Sequence, residues 1–187
     1  MGRLVYVVGA SGAGKDSVMT YARARLAEAP VAFAHRYITR PADAGGDNHV
    51  ALGLEEFRQR KAAGCFLLDW ESHGRCYGIG REIGLWMDAG LVVVANGSRA
   101  YLGEARRRIP GLLAVEIRAD EAVLAERLAR RGRETVADIG ARLERTRQLP
   151  HDDADLAVID NSGPLPIAGD ALLALIQATR RSASQAA

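Results

Sequence analysis

Residues 4–17 read LVYVVGASGAGKDS, and this stretch decides the fold of the chain. The apolar run LVYVV at 4–8 lacks polar alternation, which is typical of a strand buried on both faces of a sheet. The pattern G-x-x-x-x-G-K then ends at Lys15 and indicates a phosphate-binding loop that leads into a helix. We predict that this helix runs from about Gly14 to Glu28, because Pro30 stops it.

The loop has the parts that binding a nucleotide phosphate requires. Its glycines let backbone N–H groups turn inward around an anion, and the helix N-terminus adds partial positive charge. Lys15 can reach the β- and γ-phosphates. The alternative is a tight structural turn with a lysine there by chance. The predicted binding residues are Gly9, Ala10, Ser11, Gly12, Ala13, Gly14, Lys15, Asp16 and Ser17.

Asp16 departs from the usual loop, in which a Ser or Thr follows the lysine and its hydroxyl binds Mg²⁺. Here the first serine, Ser17, comes one position later. In one interpretation Asp16 gives an oxygen to Mg²⁺ directly or through water, since this ion accepts carboxylates and keeps several waters. In the other, the acidic side chain only interacts with the dipole of the helix. The residues leave both interpretations open.

The rest of the chain alternates short apolar runs with helical patterns. This alternation indicates an α/β fold with a central parallel sheet flanked by helices. The stretch 41–88 differs, because a Gly-rich loop, two short helices and β-like pieces suggest a small inserted lobe. The other strand-like runs are 32–39, 91–95, 112–117 and 155–159, and the helical patterns are 98–108, 120–131, 136–148 and 166–181.

Length and composition limit the class of protein. The 187 residues fit one compact domain, and a net charge of +2 argues against broad electrostatic binding of nucleic acid. Two cysteines do not make a disulfide framework, and no apolar run reaches the roughly 18 residues of a membrane span. We therefore expect a cytosolic (cytoplasmic) protein that binds neither nucleic acid nor membrane. The oligomeric state stays open.

With these motifs in place, the chain resembles the guanylate kinase branch of the nucleoside monophosphate kinases, from Leu4 to about Ile176. The motifs that carry the likeness are Thr39-Arg40, His73-Gly74, Tyr77-Gly78, the Arg-rich residues 127–133 and Ala141-Arg142-Leu143. The resemblance implies a P-loop kinase of one domain, 1–187. Its implied parts are a core (1–40 and 89–181), an acceptor-binding lobe (about 41–88) and a lid (about 127–142).

Several positions depart from guanylate kinases. A second arginine of their acceptor loop is Asp43 here, and a tyrosine that contacts the acceptor phosphate is replaced by Asn48. The glutamate that reads guanine becomes Leu68, which cannot accept N–H bonds. Asn96 and Ser98 stand where those enzymes have strand acidic residues, and Asn96 could orient a metal-bound water or cap the next helix. A guanine-specific pocket is therefore not expected.

One group of relatives matches these departures. The runs GKDS, AHRYITR, NHVAL, YGIG, ANGSRA and RGRE are similar to those of the ribose 1,5-bisphosphate phosphokinases of the phosphonate-degradation (carbon–phosphorus lyase) pathway. This resemblance implies that ATP, with Mg²⁺, phosphorylates a small sugar bisphosphate to give 5-phosphoribosyl 1-diphosphate. Such an acceptor has no base to read, which accounts for the missing glutamate.

The implied acceptor is a phosphate oxygen that is already anionic, so no general base is needed. Arginines and a metal should instead align and neutralise the two charged groups. We predict Lys15, Arg131 and Arg142 as catalytic residues, the last two from the lid and the helix beyond. The predicted acceptor-binding residues are Arg36, Arg40, Tyr77, Arg99 and Arg133. For Arg36 the alternative is a surface ion pair, for Tyr77 simple packing, and for the lid arginines a solvated helix end.

The sequence leaves two alternative functions open. The first is a guanylate kinase with an altered base pocket. The second is a non-catalytic interaction module with a guanylate-kinase-like fold, although such modules usually have a degraded phosphate loop and Gly9, Gly14 and Lys15 are present here.

Overall fold

A five-stranded parallel sheet forms the centre of the molecule. The computed structural model describes residues 2–41, 48–130 and 155–185. The strand order is β2-β7-β1-β8-β9, and every pair in it is parallel. The predicted α/β class with a central parallel sheet is therefore confirmed. These strands are β1 (Leu4–Val8), β2 (Val31–Phe33), β7 (Val92–Asn96), β8 (Leu113–Arg118) and β9 (Leu156–Asp160).

Helices cover both faces of this sheet, because the side chains of β1 alternate between two apolar clusters. Val5 and Val7 pack on one face with residues of α1 (Lys15–Arg25) and α6 (Leu165–Gln185). Leu4, Tyr6 and Val8 pack on the other face with α3 (Glu82–Asp88) and α4 (Leu102–Arg108). Both faces of β1 are fully buried, as its unbroken apolar run predicts.

A second, four-stranded sheet carries the inserted segment, in the order β4-β3-β6-β5. Strands β5 and β6 form an antiparallel hairpin, and β3 pairs with β4 in parallel. Helix α2 (Leu54–Ala62) adds a small aromatic cluster in which Phe57 stacks on Phe66 at 4.7 Å. The strands are β3 (Arg36–Ile38), β4 (His49–Ala51), β5 (Phe66–Ser72) and β6 (Arg75–Gly80).

The sequence pattern predicts one strand at 32–39, but the structure divides this run in two. It divides into β2, which pairs with β7 in the central sheet, and β3, which pairs with β6 in the second sheet. Ala34 and His35 make the transition. The second sheet therefore begins at Arg36, five residues before the predicted start of the lobe.

The helices differ from their predicted bounds at several ends. Helix α1 stops at Arg25, α4 begins at Leu102 rather than at 98, and α6 continues to Gln185, beyond the predicted end at 181. Helix α5 spans Glu121–Arg130, while the pattern at 136–148 lies outside the described residues. Within the described ranges, no helix combines the length and the apolar character that a membrane span requires.

Candidate active site

The phosphate loop connects β1 to α1 at the carboxyl edge of the central sheet. Gly9, Gly12 and Gly14 all have positive φ, at 146°, 91° and 84°. At Gly9 a Cβ would also lie 2.3 Å from the carbonyl oxygen of Ile117, so the neighbouring strand leaves no room for a side chain. Only glycine meets both requirements, and the loop can therefore turn its N–H groups inward.

Two side chains hold the loop from behind. Asn161, which is 3% exposed just after β9, donates from Nδ2 to the carbonyl of Ala13 at 2.7 Å. Arg127 of α5 donates to the carbonyl of Asn161 at 2.9 Å. A Cβ on Gly14 would lie 2.4 Å from Asn161 Nδ2. This packing keeps the loop in one conformation before any ligand arrives.

Lys15 lies folded over the loop. Its Nζ donates to the carbonyls of Gly9 at 2.7 Å and Ala10 at 3.1 Å. The ammonium group is thus held at the mouth of the loop, where a bound anion would meet it. The catalytic role of Lys15 stays a prediction.

A cleft of about 300 Å³ opens between the phosphate loop and the β5–β6 hairpin. The predicted residues Arg36 and Tyr77 lie in its wall. His73, Arg75 and Asn96 lie there as well, although we did not include them among the predicted site residues. The full lining is Ala10, Ser11, Gly12, Gly14, Lys15, Asp16, Ser17, Arg36, His73, Arg75, Tyr77 and Asn96.

The charge of the cleft suits an anionic ligand. Among the described lining residues, Lys15, Arg36 and Arg75 contribute positive charge and Asp16 contributes a carboxylate. Burial lowers the pKa of the Arg36 guanidinium, and the nearby Asp16 charge acts in the opposite direction. The guanidinium of arginine is always charged in proteins. Arg36 therefore presents a fixed positive charge.

Arg36 faces an aromatic wall. Its guanidinium carbon lies 5.6 Å from the centre of the Tyr77 ring, and that ring stacks on Trp70 at 5.5 Å with an interplanar angle of 5°. The packing orients the Arg36 side chain, and its Nε is buried without a hydrogen-bond partner among the described residues. The surface ion pair considered for Arg36 is thus not what the structure contains.

Asp16 and Asn96 meet on the wall of the cleft. Asn96 ends β7 and is 9% exposed, and its Nδ2 donates to Asp16 Oδ1 at 2.7 Å. Helix α4 begins only at Leu102, so Asn96 does not cap it. Asp16 is both the acidic residue of the first turn of α1 and a cleft residue. Its side chain is therefore placed to meet a ligand as well as the helix dipole.

Arg40 lies apart from Arg36. It contributes to a different depression on the second sheet, together with Thr39 and Leu52. Its guanidinium comes within 3.4 Å of the ring nitrogens of His49. The two arginines line separate depressions, since Arg36 lies in β3 and Arg40 follows the end of that strand at Ile38.

Arg99 is not among the lining residues of the cleft. Its side chain, 9% exposed, pairs with Glu116 Oε1 at 2.5 Å, and the Glu116 side chain is 2% exposed. The other carboxylate oxygen accepts from Arg118 at 2.5 Å. The structure therefore places Arg99 in a buried ion pair rather than at the predicted acceptor position.

The predicted lid residues Arg131, Arg133 and Arg142 lie outside the described residues. Of the arginines in the 127–133 run, Arg127 makes the contact behind the phosphate loop. Arg127 is not among the predicted site residues, because helical spacing does not show which side chain of a charged run donates to a backbone carbonyl.

Leu68 is fully buried in the cluster that joins the two sheets. It packs there with Tyr6 and Ile79, so the position that would read a base is part of an apolar core. This agrees with the expectation that no guanine-specific pocket exists.

His73 lies in the tight turn between β5 and β6, and Arg75 directly follows it; both line the cleft. His73 and Gly74 have φ values of 51° and 68°, typical of a two-residue turn with both central residues left-handed. The letters SHGR between two β-like runs were the signal for this turn. The sequence did not show that the turn would lie opposite the phosphate loop.

The central parallel sheet, the glycine loop with its lysine and the second sheet over the cleft define a P-loop kinase of the guanylate kinase type. The fold is similar to that of the crystal structure of guanylate kinase from Anaplasma phagocytophilum, with a TM-score of 0.66 at 15% identity. That match covers 96% of this chain and 87% of the other.

Sequence relatives narrow this class. A ribose 1,5-bisphosphate phosphokinase PhnN of Desulfomicrobium baculatum is 57% identical over 180 residues, covering 96% of each chain. Another from Thiobacillus denitrificans is 55% identical over 176 residues, covering 94% of this chain and 93% of the relative. No family model matches. The chain belongs to the ribose 1,5-bisphosphate phosphokinase family, and the resemblance carried by GKDS, AHRYITR and ANGSRA is confirmed.

Proposed function

We propose that the protein transfers the γ-phosphoryl group of ATP to the 1-phosphate of α-D-ribose 1,5-bisphosphate. The products are 5-phospho-α-D-ribose 1-diphosphate and ADP, made during phosphonate catabolism. The observation that carries the proposal is an intact phosphate loop facing a cationic wall, in a chain 57% identical to a named ribose 1,5-bisphosphate phosphokinase. A wall of this kind suits a bisphosphate.

On the donor side, the loop N–H groups and Lys15 bind the phosphates of ATP. Lys15 leaves the carbonyls of Gly9 and Ala10 and stabilises the negative charge on the transferring group. Asn161 and Arg127 keep the loop in place from behind. Gly9 to Ser17 form the nucleotide-binding segment in this proposal.

Magnesium fits the cleft. Mg²⁺ is usually bound by one or two carboxylates together with substrate phosphates and waters, and Asp16 provides one carboxylate in the wall. Within the described part of the chain, no group of three His, Cys, Asp or Glu residues could hold a metal by itself. Asp16 is the residue that would hold the ion, and the ion would supply positive charge that neutralises the phosphates of the nucleotide.

On the acceptor side, an oxygen of the 1-phosphate forms a new bond to the γ-phosphorus. The bond from that phosphorus to the β–γ bridging oxygen breaks, and ADP leaves with the electron pair. Because the nucleophile is already anionic, the protein only has to bring two anions together. Arg36 and Arg75 neutralise the acceptor, and Tyr77 orients Arg36 through the ring contact.

The second phosphate of the acceptor requires a cation further from the loop. Arg40, in the neighbouring depression near His49, is our candidate. Arg99 holds Glu116 in this scheme instead of binding substrate. We retain Arg131, Arg142 and Arg133 as proposed lid residues, and the division into core, acceptor lobe (about 41–88) and lid (about 127–142) is likewise part of the proposal.

We also propose that the enzyme works in the cytosol without binding nucleic acid. ATP is supplied there, and Cys65 and Cys76 are both free thiols, as expected in a reducing compartment. The net charge of +2 provides little attraction for a polyanion.

The deciding experiment gives purified protein ATP, Mg²⁺ and either ribose 1,5-bisphosphate or GMP. We expect ADP release only with the ribose compound, together with the phosphorus NMR signals of a new diphosphate. Lys15→Ala is the control and should abolish both signals without unfolding the protein. Turnover with GMP alone would replace the proposal by a guanylate kinase, and no turnover with either acceptor would favour the interaction module.

A further inference from the structure

Asp16 and Asn96 form a contact that the usual phosphate loop does not contain. In P-loop enzymes, a loop Ser or Thr and an acidic residue outside the loop hold Mg²⁺. Here the loop position carries the carboxylate, and the neighbouring strand end carries an amide. The two side chains are joined by the 2.7 Å hydrogen bond from Asn96 Nδ2 to Asp16 Oδ1.

We propose that the usual arrangement is reversed here: the loop residue Asp16 provides the carboxylate of the metal site, and the strand residue Asn96 is neutral. Asn96 is a positioning residue that fixes the Asp16 carboxylate toward the metal–nucleotide complex. The inference rests on the proposed kinase function and deepens its metal site. As in the usual metal site, a carboxylate lines the described cleft, but here it belongs to the loop residue Asp16 instead of to a residue of the sheet.

The chemistry of the contact fixes its direction. A carboxylate only accepts hydrogen bonds, so the amide of Asn96 must turn its NH₂ group toward Asp16. This donor holds one oxygen of Asp16 and leaves the other for a ligand. An acidic residue at position 96 would face Asp16 with like charge at the same distance, which explains why the strand position is neutral.

The backbone makes Asn96 a rigid support. It ends β7 directly beside β1, in register with Val7, and the next residue, Gly97, donates its N–H to the Val7 carbonyl at 2.8 Å. Asn96 is 9% exposed. Asp16 belongs to a half-buried helix turn at the cleft, so its rotamer depends on this partner.

Asp16 also lies among cations. Lys15 and Arg36 line the same cleft, and Asp16 contributes to the electrostatic environment of Arg36. Without the amide, the carboxylate would be free to turn toward one of these charges and away from the metal. The hydrogen bond from Asn96 therefore competes with an ion pair inside the site.

A double-mutant cycle on metal binding tests the proposal. The proteins are wild type, Asn96→Ala, Asp16→Asn and the double variant, each saturated with a non-hydrolysable ATP analogue. Mn²⁺ affinity is measured from the electron paramagnetic resonance signal of the free ion. We expect Asn96→Ala to weaken Mn²⁺ binding about 10-fold or more, as the loss of an outer-sphere partner does, and Asp16→Asn to weaken it at least as much. The double variant should match Asp16→Asn alone, because Asn96 acts through Asp16.

Asn161→Ala is the matched control. It removes an equally short amide hydrogen bond to the same loop, at Ala13, without touching Asp16. Its effect should add to that of Asp16→Asn and should be present in metal-free nucleotide binding as well. Thermal unfolding of every variant separates these effects from loss of fold.

A variant that moves the carboxylate from the loop to the strand gives a second, independent test. Asp16→Ser should weaken Mn²⁺ binding, and adding Asn96→Asp to it should restore most of the affinity by returning one carboxylate to the strand. Additive effects of Asn96→Ala and Asp16→Asn, or no gain from Asn96→Asp in the Asp16→Ser protein, would overturn the proposal. If wild type does not bind the nucleotide–metal complex at all, the proposed function itself fails.

Discussion

Asn48 connects the two sheets at the point where the chain passes from β2 to β3. Its Nδ2 donates to the carbonyls of Phe33 at 3.1 Å and Ala34 at 2.7 Å, and its Oδ1 accepts from Arg23 at 3.1 Å. Asn48 also has a positive φ of 52°. Substitution at this position should therefore destabilise the protein for two separable reasons.

The expected loss follows from counting these interactions. Two half-buried hydrogen bonds contribute about 1 kcal/mol each, while the bond from the exposed Arg23 side chain adds little. Alanine at a left-handed φ costs about 1 kcal/mol more than asparagine, which tolerates that region. Asn48→Ala should thus lower the free energy of unfolding by about 3 kcal/mol. Asn48→Gly loses the same bonds without the strain and should cost about 2 kcal/mol.

Urea unfolding followed by far-UV circular dichroism measures both losses, and the alanine variant should melt about 6–12 °C below wild type. Asn48→Asp is the matched control, because it keeps the size of the side chain and the tolerance of positive φ but cannot donate to the carbonyls. It should also lose stability. If all three variants unfold within about 0.5 kcal/mol of wild type, Asn48 does not hold the two sheets together.

Three further predictions concern the cleft and its support. Gly97→Ala would put a Cβ 2.0 Å from Cζ of the Tyr6 ring, so we expect a loss of about 1–3 kcal/mol in urea unfolding; an unchanged midpoint would contradict this packing. Leu68→Glu should cost about 3–5 kcal/mol, as an unpaired buried charge does, without creating GMP turnover; ADP release with GMP would refute our account of the missing base pocket. Arg75→Ala should raise the KM for the acceptor about 10-fold or more and leave the KM for ATP and the stability unchanged. Steady-state kinetics that show equal effects on both substrates would contradict a place for Arg75 on the acceptor side.

The sequence predicted the central sheet and the phosphate loop well, because both depend on local signals. An unbroken apolar run, three glycines and a lysine are sufficient to specify β1, the loop and the start of α1. The position of Lys15 at the loop mouth follows from the same pattern. Family membership came from longer runs such as AHRYITR, whose combination is far more specific than the loop alone.

The remaining site depended on which strands pair, and this was not readable from local patterns. The run 32–39 reads AFAHRYIT, and nothing in its spacing alone shows that β2 and β3 enter different sheets. Arg36 and Arg40 line separate depressions, since Arg36 lies in β3 and Arg40 follows the end of that strand. Arg99 was assigned by its place after the ANGS turn, but its partner Glu116 comes from β8, distant in sequence.

The two sheets share one apolar cluster, and this has a consequence for catalysis. Tyr6 of the central sheet packs in that cluster with Leu68, Trp70 and Ile79 of the second sheet. Burial also raises the pKa of the Tyr6 hydroxyl, which keeps it neutral and bonded to Ser98 at 2.9 Å. The hairpin that carries Arg75 is therefore fixed relative to Lys15 by packing rather than by a ligand.

Such an arrangement is what a reaction between two anions requires. The main barrier to phosphoryl transfer onto a phosphate is the repulsion of like charges, and cations that are already in place neutralise it without reorganising. The described cleft is lined by Lys15 at the start of α1 and by Arg36 and Arg75 of the second sheet. We propose that the acceptor is selected by the spacing of its negative charges, because buried Leu68 occupies the position where a base would be read.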